Sequence, residues 1–239
     1  MGRTPPGATG ADCGTRRLRC SLSDPVDTVG PVLDLLLPTR CALCATTGTA
    51  LCTRCLVTLP PAPDRAPPPG FEASWSLFSY DGPTKDLIAA LKFRHHRDAF
   101  GMLGSAMADL LPLAQRRAVE AVTWAPTTAV RRRGRGYDQA EQLARAVAER
   151  LGRPCYPMLG RDCGDAQTGR TRAQRLDGTA FSALGVATFG SAQPLSDGAP
   201  SVVVVDDVRT TGSTLVAAAD ALTGAGVSRL IGLTLAVTL

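Results

Sequence analysis

Val202-Val203-Val204-Val205-Asp206-Asp207-Val208-Arg209-Thr210-Thr211-Gly212-Ser213-Thr214-Leu215 is the stretch from which the fold can be read. Its four consecutive valines suit a strand buried on both faces, the pattern of a central strand in a parallel sheet. Two acids follow, then a hydroxyl-rich turn with one glycine. Leu215, Val216, Ala219 and Leu222 then recur at helical spacing up to Gly224 and Gly226. Such a turn lies at the carboxyl end of its strand, where open α/β sheets bind ligands. Gly212 lets the backbone come close to a ligand. The amides of Thr211 to Thr214 converge at a helix N-terminus and suit a phosphate dianion, and the hydroxyls of Thr210, Thr211, Ser213 and Thr214 add donors. Asp206 and Asp207 would repel phosphate. They suit sugar hydroxyls, or a Mg²⁺ carried in by a diphosphate. The plainer alternative is a strand–turn–helix in which both acids are merely solvated.

The flanking sequence fits the same frame. Trp75 to Tyr80 alternates like a strand, Ala121 to Ala125 and Pro154 to Met158 are short strand candidates, and Leu230 to Val237 reads as the last strand. Helical spacing runs through Leu87, Ile88 and Leu91, then through Phe100, Leu103, Met107, Leu110 and Leu111. It returns in Ala140, Leu143, Ala144, Val147, Ala148 and Leu151, closed by Gly152. Strands alternating with helices predict an α/β fold with a mostly parallel sheet flanked by helices.

The chain has 239 residues, 44% of them hydrophobic, enough to bury a core. No apolar run approaches the ~20 residues that span a bilayer, so no membrane insertion is expected. Residues 1–23 lack a signal-peptide layout, and the expected location is cytoplasmic. The formal charge of +5 rests on arginine, the only lysines being Lys85 and Lys92. Arginine favours forked contacts to phosphate, so a phosphorylated metabolite or a nucleic acid suits as partner.

A second constellation runs Ala125-Pro126-Thr127-Thr128-Ala129-Val130-Arg131-Arg132-Arg133-Gly134-Arg135-Gly136-Tyr137-Asp138-Gln139. It reads as a loop between a short strand and a helix. Arg131, Arg132, Arg133 and Arg135 are candidates to clamp a diphosphate, with Lys92, Arg94 and Mg²⁺ on the same side; a solvated basic loop is the alternative. Arg161 to Arg175, with Gly164 and Gly169, reads as a mobile basic loop able to close over the site. His95-His96, between Arg94 and Arg97, is read as a solvated basic segment.

Cys41, Cys44, Cys52 and Cys55 form two C-x-x-C pairs separated by seven residues, with Gly48 allowing the reversal. Two such turns present four thiolates tetrahedrally to Zn²⁺ at about 2.3 Å. Metal binding would then supply folding free energy to a segment with little core of its own. Disulfides and an iron or redox role are the alternatives, and a site filled by four protein ligands is structural rather than catalytic. Cys13, Cys20, Cys155 and Cys163 show no comparable pairing. The expected organisation is a disordered extension over 1–28 and a zinc-ribbon module over 29–59, led by a short helix through Val29, Val32, Leu33, Leu36 and Leu37. A Pro-rich linker follows over 60–70, and the main domain spans 71–239.

The run Val202 to Leu215 resembles the motif with which type I phosphoribosyltransferases bind 5-phosphoribosyl 1-diphosphate (PRPP). Leu35-Leu36-Leu37-Pro38 before the cysteines, Leu91-Lys92-Phe93-Arg94, Arg132 to Gln139, and Gln167, Arg175 and Phe181 extend the resemblance over residues 30–239. Together they resemble the ComF/GntX family of phosphoribosyltransferase-like proteins. That resemblance implies a type I phosphoribosyltransferase-like sheet with a small N-terminal four-cysteine zinc ribbon. Asp206 and Asp207 would hold the ribose hydroxyls and Thr210 to Thr214 the 5-phosphate. It further implies PRPP with Mg²⁺, transfer of a phosphoribosyl group to an acceptor the residues do not identify, and a link to DNA uptake and competence. The chain departs from the family at Asp138, where the family has Asn, and at Pro126-Thr127-Thr128, where it has Pro-Val-Pro. Asp177 and Gly178 stand near the place of a further Asn, and Thr210 stands where purine-salvage relatives carry an Asp base. The alternative function is a non-catalytic single-stranded DNA-binding protein working with the DNA-uptake machinery, its PRPP pocket acting as a sensor.

Overall fold

The computed structural model describes residues 39–92, 98–161, 180–185 and 201–239. The N-terminal extension, the short helix expected before the cysteines, Arg94, the His95-His96 segment, Cys163, Gln167 and Arg175 lie outside them. In chain order the elements are α1 (Thr53–Leu56), β1 (Ala73–Ser79), α2 (Gly82–Ala90), α3 (Ala99–Asp109), α4 (Leu113–Ala118), β2 (Val119–Trp124), α5 (Ala129–Arg135), α6 (Gln139–Leu151), β3 (Leu159–Arg161), β4 (Phe181–Ala183), β5 (Ser201–Arg209), α7 (Ser213–Gly224) and β6 (Arg229–Val237).

Four strands form a parallel sheet in the order β1-β6-β5-β2, flanked by helices as expected. β3 and β4 make a separate antiparallel pair. Val202 to Val205 are fully buried because β5 lies between β6 and β2 with an apolar layer on each face. Val203 and Val205 point into one layer with Leu87, Leu143, Val147, Ile231 and Leu233. Val202 and Val204 point into the other with Phe71, Leu215, Ala218, Leu222 and Leu230. The strand period of two thus divides one valine run between two cores.

α6 is bounded by its own sequence. Asp138 caps its start, accepting the Ala140 N–H at 3.1 Å. At its end Gly152 takes φ 64°, and the N–H groups of Gly152 and Arg153 return to the carbonyls of Glu149 and Ala148. α6 and α3 approach so closely that a Cβ on Gly104 would lie 2.4 Å from that of Ala146. Glycine is what permits the crossing.

Three local readings change. The strand does not end in the two acids: β6 pairs with β5 past them, Asp206 opposite Thr234, Val208 opposite Ala236 and Arg209 opposite Val237. The arginine segment is a short helix rather than a loop. Thr128 caps it through the Arg131 N–H at 3.3 Å, and Gly136 closes it at φ 78°. Pro154 to Met158 contributes only a bridge of Cys155 to Val122, parallel to β2, before β3 begins.

The cysteine segment shares the core of the sheet. Cys41, Leu51, Cys55 and Leu59 belong to the hydrophobic cluster that contains Phe78, Leu87 and Leu91. The proline run after it lies along β1, where Ser79 N–H donates to Pro60 O at 2.9 Å and Ala62 N–H to Leu77 O at 3.3 Å.

Candidate functional site

At the carboxyl ends of the sheet strands lies a cavity of about 540 Å³. β5 and the turn after it contribute Asp206, Asp207, Val208 and Thr210, and the first turn of α7 adds Thr214. The segment after β2 contributes Ala125, Pro126 and Thr127, and α5 contributes Arg131 and Arg135. Asp138, Gln139 and Ala140 come from the start of α6; Tyr80, Ile88, Lys92 and Arg161 complete the wall.

Seven candidates from the sequence therefore meet in one cavity: Asp206, Asp207, Thr210, Thr214, Arg131, Arg135 and Lys92. Thr211, Gly212 and Ser213 form the turn between them. Gly212 takes φ 84° at the N-cap of α7, and Thr211 Oγ1 accepts the Ser213 N–H at 3.3 Å. Arg132 lies off the cavity, 3.6 Å from Glu141, and Arg133 is exposed. The helix explains this division. Residues four apart share a face, which puts Arg131 and Arg135 toward the cavity and turns their neighbours outward.

Asp138 stands out in the sequence as a departure from the motif that the arginine segment resembles, and the structure gives it a clear position. It is buried, lines the cavity, and accepts the Thr127 N–H at 2.7 Å as well as that of Ala140. A sequence signal for it exists: an acid just before the helical pattern with Glu141 three residues on is an N-cap arrangement. Gln139 and Tyr80 carry no such signal. Gln139 takes its place by accepting from Arg135 Nη1 at 2.9 Å.

The cavity is electrically divided. Burial pushes the Asp206 carboxyl well above the usual aspartate range, and the charge of Asp207 adds to the rise. The Asp207 N–H, donating to Asp206 Oδ1 at 2.8 Å, opposes it. Asp138 is also raised by burial, against the pull of the Thr127 and Ala140 amides. On the cationic side, burial and the charge of Arg131 lower the Arg161 guanidinium, while Asp206 and Asp138 raise it. Arg161 Nη1 donates to Pro126 O at 3.2 Å, and the guanidinium lies 5.6 Å from the centre of the Phe181 ring. Carboxylates that accept from hydroxyls thus face guanidinium groups that donate to oxyanions. This chemistry suits an anionic, polyhydroxylated ligand.

The four cysteine sulfurs lie within 4.8 Å of one another. Cys44 Sγ and Cys52 Sγ are 3.6 Å apart, close to the ~3.8 Å edge of a tetrahedron with Zn–S bonds of about 2.3 Å. The Cys52 N–H approaches Cys41 Sγ at 3.4 Å, as amides do toward thiolates. The Thr46 hydroxyl pulls the Cys44 thiol down to about 6, while its hydrogen bond with Cys44 pushes Cys55 up to about 12. Cys44 and Cys55 thus hold their protons unevenly, and a thiophilic cation bound by the four sulfurs displaces protons from the site. The donor set fits a closed, structural Zn²⁺ site.

No protein-family model matches the chain, and no curated protein matches it significantly. Among solved structures it is similar to an allosteric regulatory enzyme of purine biosynthesis, at 21% identity and a TM-score of 0.39 over 58% of this chain. It is also similar to glutamine phosphoribosylpyrophosphate amidotransferase from B. subtilis complexed with ADP and GMP, at 21% identity and a TM-score of 0.38 over 57% of this chain. The match spans 26% of the length of each. A likeness this slight adds nothing to the reading of the site.

Proposed function

We propose that the cavity binds PRPP and that the protein is a phosphoribosyltransferase-like protein of the ComF type. The observation that carries this reading is that two acids, a hydroxyl-rich turn with one glycine at a helix N-terminus, and two arginines lie on different walls of one cavity at the carboxyl edge of a parallel sheet. Asp206 and Asp207 hold the ribose hydroxyls. Thr210 to Thr214 hold the 5-phosphate with hydroxyls and amides. Arg131, Arg135 and Lys92 hold the diphosphate, with Arg132 and Arg133 adding charge from the outer side of α5. Asp206 and Asp207 are the carboxylates able to hold a Mg²⁺, which when bound neutralises part of the diphosphate charge.

Phosphoribosyl transfer asks a site to position the diphosphate and stabilise its charge as the glycosidic bond breaks. The arginines of α5 are placed for that work. By its resemblance to the ComF/GntX family, the protein would serve DNA uptake and competence. The reading is tested by titrating PRPP, ribose 5-phosphate and diphosphate separately, each with Mg²⁺. It expects PRPP to bind more tightly than either fragment; equal affinity for PRPP and free diphosphate would contradict a ribose site at Asp206 and Asp207.

A second reading is favoured by Arg132 and Arg133, which lie outside the cavity lining and are exposed. They offer a non-catalytic contact to single-stranded DNA, with the PRPP pocket as sensor. DNA affinity that falls steeply with salt and ignores Asp206→Asn/Asp207→Asn supports it; affinity lost in that variant excludes it.

A further inference from the structure

Directly before the phosphate-type turn stands Arg209, only 9% exposed. Its Nη2 donates to Ala66 O at 2.8 Å and its Nη1 to Ser74 Oγ at 3.4 Å. Its Nε is buried with no hydrogen-bond partner. That nitrogen faces the turn: with Pro68 Cβ, also at 3.6 Å, it lies 3.6 Å from the point where a Cβ on Gly212 would sit. Among the described residues no carboxylate pairs with Arg209. Burial works against its charged form, and the like charge of Arg65 works in the same direction.

A buried guanidinium without a counter-ion is costly. Here the cost falls one residue before a turn whose amides already form the positive end of the twelve-residue helix α7. An anion seated on Thr210 to Thr214 would be the missing counter-charge.

We infer that Arg209 is a positioning residue for the bound anion, raising the affinity of the Thr210–Thr214 turn for phosphate with its unpaired charge from beneath Gly212. This rests on reading that turn as the phosphate site. Arg209 acts through the turn and does not contact the sugar or the diphosphate. Its two satisfied hydrogen bonds hold it there by fastening Ala66 and Ser74 to β5.

Inorganic phosphate and PRPP with Mg²⁺ are each titrated into wild type, Arg209→Gln and Arg209→Lys, with thermal melting to show that each variant folds. Arg209→Gln keeps donors for Ala66 O but removes the charge. It is expected to bind both ligands about tenfold more weakly, with a shallower dependence on salt. Arg209→Lys, which keeps the charge, should bind like wild type. The inference is overturned if Arg209→Gln matches wild type, if Arg209→Lys falls as far as Arg209→Gln, or if wild type binds no phosphate. Phosphate bound without PRPP would sink the PRPP reading, and the phosphate arm would still decide the role of Arg209.

Discussion

Asp206 and Asp207 are neighbours in β5 yet meet different surroundings, Asp206 buried and Asp207 half-buried. Burial raises the Asp206 carboxyl well above its ordinary 3.8. A group whose folded value exceeds its unfolded one binds its proton more tightly in the folded state. Its stabilising contribution is therefore complete below the unfolded value and disappears as pH rises through the folded one. Asp206→Asn removes the ionisation, so it should melt higher than wild type near neutral pH. Thermal melting from pH 4 to pH 8 checks this, and the gap should close toward the acid end. A variant less stable than wild type at pH 7 would contradict it. The pairing of these acids with a Thr-Thr-Gly-Ser-Thr turn was legible from the sequence, because residue types name chemistry directly. The role of Asp138 was hidden, because its meaning depends on the Thr127 N–H, contributed by a segment eleven residues away.

At the scale of elements, α5 decides which arginines serve the cavity. Arg131 and Arg135 share the face that lines the cavity, while Arg133 lies off it. Arg131→Ala should weaken diphosphate or PRPP binding by about tenfold, the value of a charge-assisted contact. Arg133→Ala should change it less than about twofold at moderate salt. Calorimetry on the two variants separates them, and equal losses would show an open basic loop rather than a helical face. The segment reads as a loop in sequence because it has two glycines and no apolar stripe; what makes it helical is its ends, Thr128 and Gly136. β5 shows the reverse. Its valines announce a buried strand, but its continuation to Arg209 depends on β6 running equally far beside it, a partner the local pattern does not contain.

For the whole molecule, the alternation of strand and helix patterns was enough to predict a parallel sheet between helical layers, because burial on two faces leaves few other arrangements. The cysteine segment was legible as a metal module but not as part of the sheet's core, since the cluster that holds Cys41, Leu51 and Cys55 together with Phe78 and Leu87 is assembled from segments far apart in sequence. That shared core has a consequence for metal removal. Chelating Zn²⁺, or Cys44→Ser, should lower the melting temperature of the entire protein by at least several degrees, in one transition. A main transition left unmoved would show that the two parts fold independently. The central claim is that the cavity at the carboxyl edge of the sheet recognises PRPP through Asp206 and Asp207. Its most direct test is calorimetric titration of PRPP with Mg²⁺ into wild type and the Asp206→Asn/Asp207→Asn variant. Saturable binding by wild type that the folded variant lacks is the predicted result. The claim is contradicted if neither protein binds PRPP, or if both bind it equally.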